Sequence, residues 1–195
     1  ALVDAIEATG VHYFDLSLQH ASRPLLRRMR RWGDGDRFLA RIEGIRARMP
    51  GAAFRSNFIV GYPGETEADH DALLAFIAAA QLDWCGLFAY SREEGTYAAG
   101  LPETVPAALV AERLAEAAEL QDHITASCRA RLVGTRTSVL VDERGVARSY
   151  REAPEIDGFI AVPDDLAPGS FVPVEITGAE GPDLAAVPVA VVAGR

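Results

Sequence analysis

The chain has 195 residues, 49% of them apolar and 24% charged, with a net charge of −9. That balance suits one or two globular domains with a real core and excludes a disordered or low-complexity chain. No apolar run nears the roughly 20 residues of a membrane span, no secretory signal opens the sequence, and the acidity argues against a broad nucleic-acid surface, so a cytoplasmic protein is expected.

Residues 1–9 (ALVDAIEAT) read as a short helix closed by Gly10, which suits a left-handed cap. Residues 11–17 (VHYFDLS) read as a strand, and SLQHAS as the loop that follows it. Pro24 fits a first helical turn and opens a helix to about Arg31; Gly33-Asp34-Gly35 breaks it. In DRFLARIEGIRAR, residues 36–48, the apolar Phe38, Leu39, Ile42 and Ile45 share one face at helical spacing. Residues 53–60 form a strand running into the turn GYPGET, and Thr66 caps a helix to about Ala80. Residues 82–90 (LDWCGLFAY) form a further strand, 91–105 a loop, and 106–130 a long amphipathic helix.

Residues 1–130 thus alternate helix and near-continuously apolar strand, the pattern of parallel strands covered by helices. Only about three strands are present, so this part reads as the later portion of a larger α/β barrel or open sheet. Ligands in such folds sit at the carboxyl ends of the strands, where SLQHAS, GYPGET and SREEGT all fall. From residue 131 the texture changes. TRTSVLVDE, VARSYR, DGFIAV, SFVPVEITGA and LAAVPVAVV are short β-rich runs between Gly, Pro and Asp turns, which predicts a small antiparallel barrel of OB-like size over 131–195.

In the first loop, Gln19 can donate and accept hydrogen bonds and His20 can titrate, while Ser22, two before Pro24, makes a plain capping loop the favoured reading of this loop taken alone. All nineteen basic residues are arginines, ten of them in residues 23–55 against Asp34, Asp36 and Glu43. Most form a solvated face, but one near the helix end can reach the strand ends and grip a carboxylate. In NFIVGYPGET, Phe58 to Val60 offer an apolar wall, Asn57 a hydrogen-bonding side chain, and Gly61 and Gly64 close backbone approach. The turn is neither a Walker loop nor a dinucleotide fingerprint. Cys85 and Cys128 lack any partner spacing and read as packing residues.

DLSLQHAS, LLRRMRR, FRSNFIVGYPGETEAD and GLFAYSREEGTYAA, in this order, resemble the second half of a radical S-adenosylmethionine (SAM) methylthiotransferase barrel. The β-rich end, opening with RLVGT, resembles that family's TRAM domain. QHAS, SREEGT and RSYREAPEIDG are similar to the RimO branch, which methylthiolates an aspartate of a small-subunit ribosomal protein; the tRNA-modifying branch has Gln-Ser-Gly-Ser in place of Gln19 to Ser22. The resemblance implies that Gln19 contacts S-adenosylmethionine and that Arg31, ending the MRR helix, pairs with its carboxylate. It implies that Asn57 faces the ribose and that Ile59, Val60 and Gly61 flank the adenine. The loop of Ser91, Glu93, Glu94 and Thr96 would meet the protein substrate.

The family's two four-iron four-sulfur (4Fe-4S) clusters need thiolates that Cys85 and Cys128 do not match, so those ligands are expected upstream of Ala1 and this stretch alone is expected not to turn over. Residues 131–195 hold six arginines and ten acids, a charge suited to a basic protein partner rather than to RNA. A tRNA-modifying fragment and a non-catalytic RNA- or protein-binding module are the alternatives.

Overall fold

A computed structural model describes residues 2–189; positions 190–192, the end of the last expected strand, lie outside them. The chain forms two compact units, Ala1–Gln121 and Asp122–Arg195.

The first unit holds α1 (Leu2–Thr9), β1 (Tyr13–Gln19), α2 (Arg23–Arg28), α3 (Gly35–Arg48), β2 (Ala53–Val60), α4 (Glu67–Ala80), β3 (Trp84–Ala89) and the start of α5 (Ala107–Ala130). Its strands form a three-stranded parallel sheet in the order β1-β2-β3. Burial along the central β2 alternates with the strand period of two. Phe54, Ser56, Phe58 and Val60 are buried on the face that packs against helices, where Phe58 meets Phe76 of α4 edge-on at 5.9 Å. Arg55, Asn57 and Ile59 point the other way and are only partly covered. The fully buried Leu25, Leu26, Ile42, Leu73 and Ile77 complete the helical layer.

Capping decides where the helices start. Thr66 and Asp69 form a reciprocal capping box on α4, Asp34 caps α3, and Ser22 caps α2 with proline in its first turn. Two elements differ from the sequence expectation. β1 extends to Gln19, which takes the left-handed conformation with φ 70° and ends the strand instead of sitting in a loop. α2 stops at Arg28, because Arg30 is also left-handed, with φ 56°; Arg31 therefore follows a turn and not a helix.

The second unit is a closed barrel of β4 (Arg136–Glu143), β5 (Val146–Arg148), β6 (Ile160–Ala161), β7 (Phe171–Glu180) and β8 (Asp183–Pro188), in the order β4-β5-β6-β8-β7. Val139, Val141, Ala147, Ile160, Val174, Ile176 and Leu184 fill it. The expected antiparallel pairing holds except between β6 and β8, which run parallel. A ring closed with an odd number of strands cannot alternate direction all the way round, so one parallel pair is a topological necessity.

The expected strand 146–151 stops at Arg148. There the Glu152 carboxylate accepts hydrogen bonds from both the N–H and the hydroxyl of Ser149, at 2.7 Å each, and pairs with the buried Arg129 guanidinium.

Candidate functional site

At the carboxyl end of β2 the chain must turn sharply into α4. Tyr62-Pro63-Gly64-Glu65 makes a turn closed by a 2.9 Å bond from the Glu65 N–H to the Tyr62 carbonyl, with Pro63 second and Gly64, φ 81°, third. That is type II chemistry, which needs glycine at its third position. The Glu65 side chain, fully buried, folds back to accept the Gly61 N–H at 2.7 Å and is gripped by Arg113 of α5 at 2.9 Å. Burial pushes the Glu65 carboxyl above its ordinary value, while the Gly61 N–H and Arg113 act to lower it. The second arm of Arg113 holds Glu67 at 2.8 Å. Glu65 is thus the anchor that fixes the turn.

A cavity of about 630 Å³ opens at the strand ends, lined by Gln19, Met29, Arg31, Asn57, Ile59, Tyr62, Phe88, Ala89, Tyr90 and Ser91. This volume lies in the range of small-molecule sites. Four of the six expected cofactor residues, Gln19, Arg31, Asn57 and Ile59, therefore share one cavity, and Ser91 joins them from the expected substrate loop. Val60 and Gly61 do not line it. The strand alternation turns the Val60 side chain into the opposite, buried face, and the Gly61 N–H is committed to Glu65. A Cβ on Gly61 would collide with Val110, so this glycine admits α5 and not a ligand. Glu93, Glu94 and Thr96 are exposed beyond the cavity; Glu93 accepts from the Ser91 hydroxyl at 2.8 Å and its carbonyl from the Thr96 hydroxyl at 2.7 Å.

Within the cavity, Arg31 supplies the positive charge, its Nη2 donating to the Ser17 carbonyl at 2.6 Å. The Asn57 Oδ1 and the Tyr90 hydroxyl are both buried and without a hydrogen-bond partner among the described residues. Buried polar atoms ordinarily find partners, so these two are poised for a bound polar group. Gly86, directly opposite Asn57 across the β2–β3 pair, makes room for that amide, since a Cβ there would strike Asn57 Oδ1 and the Phe88 ring. Ile59, Phe88 and Tyr62 add the apolar surface a flat ring needs. Tyr90, Phe88 and Tyr62 escaped the residue-type reading; their position at the end of LDWCGLFAY and in GYPGET was the available signal.

His20 is fully buried and cannot act as an exposed acid or base. Its Nδ1 accepts the Ser22 N–H at 3.0 Å, which makes the neutral ring the stable form, and burial lowers its pKa to about 4. Among the described residues no group of three or more His, Cys, Asp or Glu side chains comes together to hold a metal. Burial pushes the Cys85 thiol up to about 12, the opposite of a ligand thiolate, and Cys128 is buried in α5. This chain's own thiols do not fit an iron–sulfur cluster. No described helix is long and apolar enough to cross a membrane.

Residues 1–77 match the Radical SAM superfamily and residues 133–189 the TRAM domain. The chain is 48% identical to the ribosomal protein uS12 methylthiotransferase RimO of Cutibacterium acnes, over 96% of this chain and 40% of that protein. It is 47% identical to the protein of the same name from Chloroflexus aurantiacus, over 89% of this chain and 40% of the relative. The chain thus spans about two fifths of the length of these curated relatives. Among solved structures, the radical SAM enzyme coproporphyrinogen III oxidase (HemN) of Escherichia coli superposes with a TM-score of 0.54 at 16% identity, over 63% of this chain and 29% of that one, a likeness of fold. A Radical SAM superfamily match over its first 77 residues, a TRAM match over its β-barrel and relatives of 47–48% identity along most of its length thus make the chain similar to part of the methylthiotransferases named RimO.

Proposed function

We propose that these 195 residues form the S-adenosylmethionine-binding wall and the TRAM domain of a methylthiotransferase that modifies an aspartate of ribosomal protein uS12. The observation that carries this reading is the convergence of Gln19, Arg31, Asn57 and Ile59 on one cavity in which Asn57 Oδ1 and Tyr90 Oη lack partners among the described residues.

The cavity residues suit adenosylmethionine. The Asn57 oxygen accepts from a ribose hydroxyl and Tyr90 donates to a polar ligand atom. Ile59 and Phe88 cover the adenine, and Arg31 neutralises the amino-acid carboxylate. Bound there, adenosylmethionine supplies the methyl and radical chemistry of the superfamily. The protein's part at this site is to orient the cofactor and to cover it with an apolar wall. The cluster thiolates are assigned to another part of the full-length enzyme.

The barrel's acidic balance supports a basic protein partner over RNA. The test is a titration of the full-length protein with S-adenosylhomocysteine, comparing wild type with Asn57→Ala, and a mass-spectrometric assay for methylthiolation of uS12 alongside tRNA. Equal affinity in Asn57→Ala removes the assigned site. Modification of tRNA in place of uS12 overturns the substrate.

A further inference from the structure

Three arginines of the LLRRMRR segment diverge within four residues. Arg28 forms an ion pair with Glu103. Arg30 lays its guanidinium over the Tyr97 ring, 3.8 Å from the centroid. Arg31 turns back to the Ser17 carbonyl and the cavity. The divergence is made by Arg30 itself, whose φ of 56° is uncommon for a residue with a side chain. Strain of this kind clusters where structure serves function.

Both Tyr97 and Glu103 belong to the loop 91–105 between β3 and α5. The backbone is tied as well: the Glu103 carbonyl accepts the Gly64 N–H at 2.6 Å. A Cβ on Gly64 would strike the Arg28 guanidinium and the Glu103 carboxylate, so the turn is kept bare to seat this loop. Tyr62, on the cavity wall, donates its hydroxyl to the Arg28 carbonyl at 3.3 Å and meets Tyr90 edge-on at 5.3 Å. The segment that carries the cavity's arginine therefore also clamps a loop whose first residue, Ser91, lines the same cavity.

We infer that Arg28 and Arg30 are positioning residues that strap the 91–105 loop beside the cavity mouth, so that its acidic Ser91–Thr96 stretch is held rigidly for the protein substrate. This inference rests on the methylthiotransferase reading above. One clamp acts at the middle of the loop, at Tyr97, and the other near its end, at Glu103, and the Arg30–Tyr97 stack is the one that a side chain alone sets.

The experiment uses the full-length enzyme. Arg30→Gly suits the left-handed backbone and removes the whole side chain with its cation. Amide hydrogen exchange across 91–105 is expected to accelerate by roughly three-fold in Arg30→Gly and in Tyr97→Leu. Tyr97→Phe and Arg30→Lys, which keep a ring and a cation, are expected to retain wild-type exchange. KM for uS12 rises several-fold in Arg30→Gly, whereas S-adenosylhomocysteine affinity does not change. Unchanged exchange in Arg30→Gly overturns the clamp. Faster exchange with an unaltered KM overturns the substrate role of the strap and leaves the proposed function standing. A wild-type enzyme that leaves uS12 unmodified overturns the underlying reading instead.

Discussion

His20 offers the sharpest test of the local physics. Its ring is fully buried, its Nδ1 accepts the Ser22 N–H, and burial holds its pKa at about 4 against an ordinary 6.5. Above pH 6.5 the ring is neutral in both folded and unfolded chains and stability does not depend on it. As pH falls from 6.5 towards 4, the unfolded chain takes up a proton that the folded chain refuses, so stability is lost with acidification. Working from these two values, the loss is about 1.4 kcal/mol at pH 5.5 and about 2.5 kcal/mol at pH 4.5, rising to about 3 kcal/mol below pH 4. That is a large share of the roughly 5–15 kcal/mol that a domain has. The assay is urea denaturation of wild type and His20→Asn at several pH values between about 7 and 4.5. Asparagine places an oxygen where Nδ1 stood, keeps the Ser22 bond and has no proton to gain. It loses ring volume, so its stability is lower at every pH, but its acid slope should be shallower by the amounts above. Parallel curves for the two proteins would refute the argument.

Other outcomes follow from the same contacts. Arg113→Met leaves the Glu65 carboxylate buried without its cation and should cost about 3–5 kcal/mol in urea denaturation; the double variant Glu65→Leu/Arg113→Met should recover much of that. Gly86→Ala pushes a methyl into Asn57 Oδ1 and should weaken S-adenosylhomocysteine binding about ten-fold or more by calorimetry, with far-ultraviolet circular dichroism unchanged. Ile160→Ala opens a hole in the barrel core and should lower the stability of that unit by about 2–5 kcal/mol, read by thermal denaturation. Glu152→Ala removes the carboxylate that pairs with the buried Arg129 and holds Ser149; a loss of about 3 kcal/mol or more is expected by the same assay.

Much of the fold is written locally in the chain. The apolar runs around Phe54–Val60 and Trp84–Ala89, the Thr66 cap and the change of texture after residue 131 state a parallel α/β part followed by a β-barrel. Each depends on neighbours along the chain, whose side-chain period and capping chemistry need no distant partner. The convergence of Gln19, Arg31, Asn57 and Ile59 also follows from order alone, because parallel strands bring their carboxyl ends to one edge. Only the tertiary structure decided which neighbours of those residues face the cavity. The pleat sends Val60 to the opposite face from Asn57 and Ile59, and α5, far along the chain, takes the space beside Gly61. The left-handed turn at Arg30, the burial of His20 and the grip of Arg113 on Glu65 likewise come from contacts between distant segments. The one parallel pair of the barrel comes from closing five strands into a ring, a condition no single segment carries.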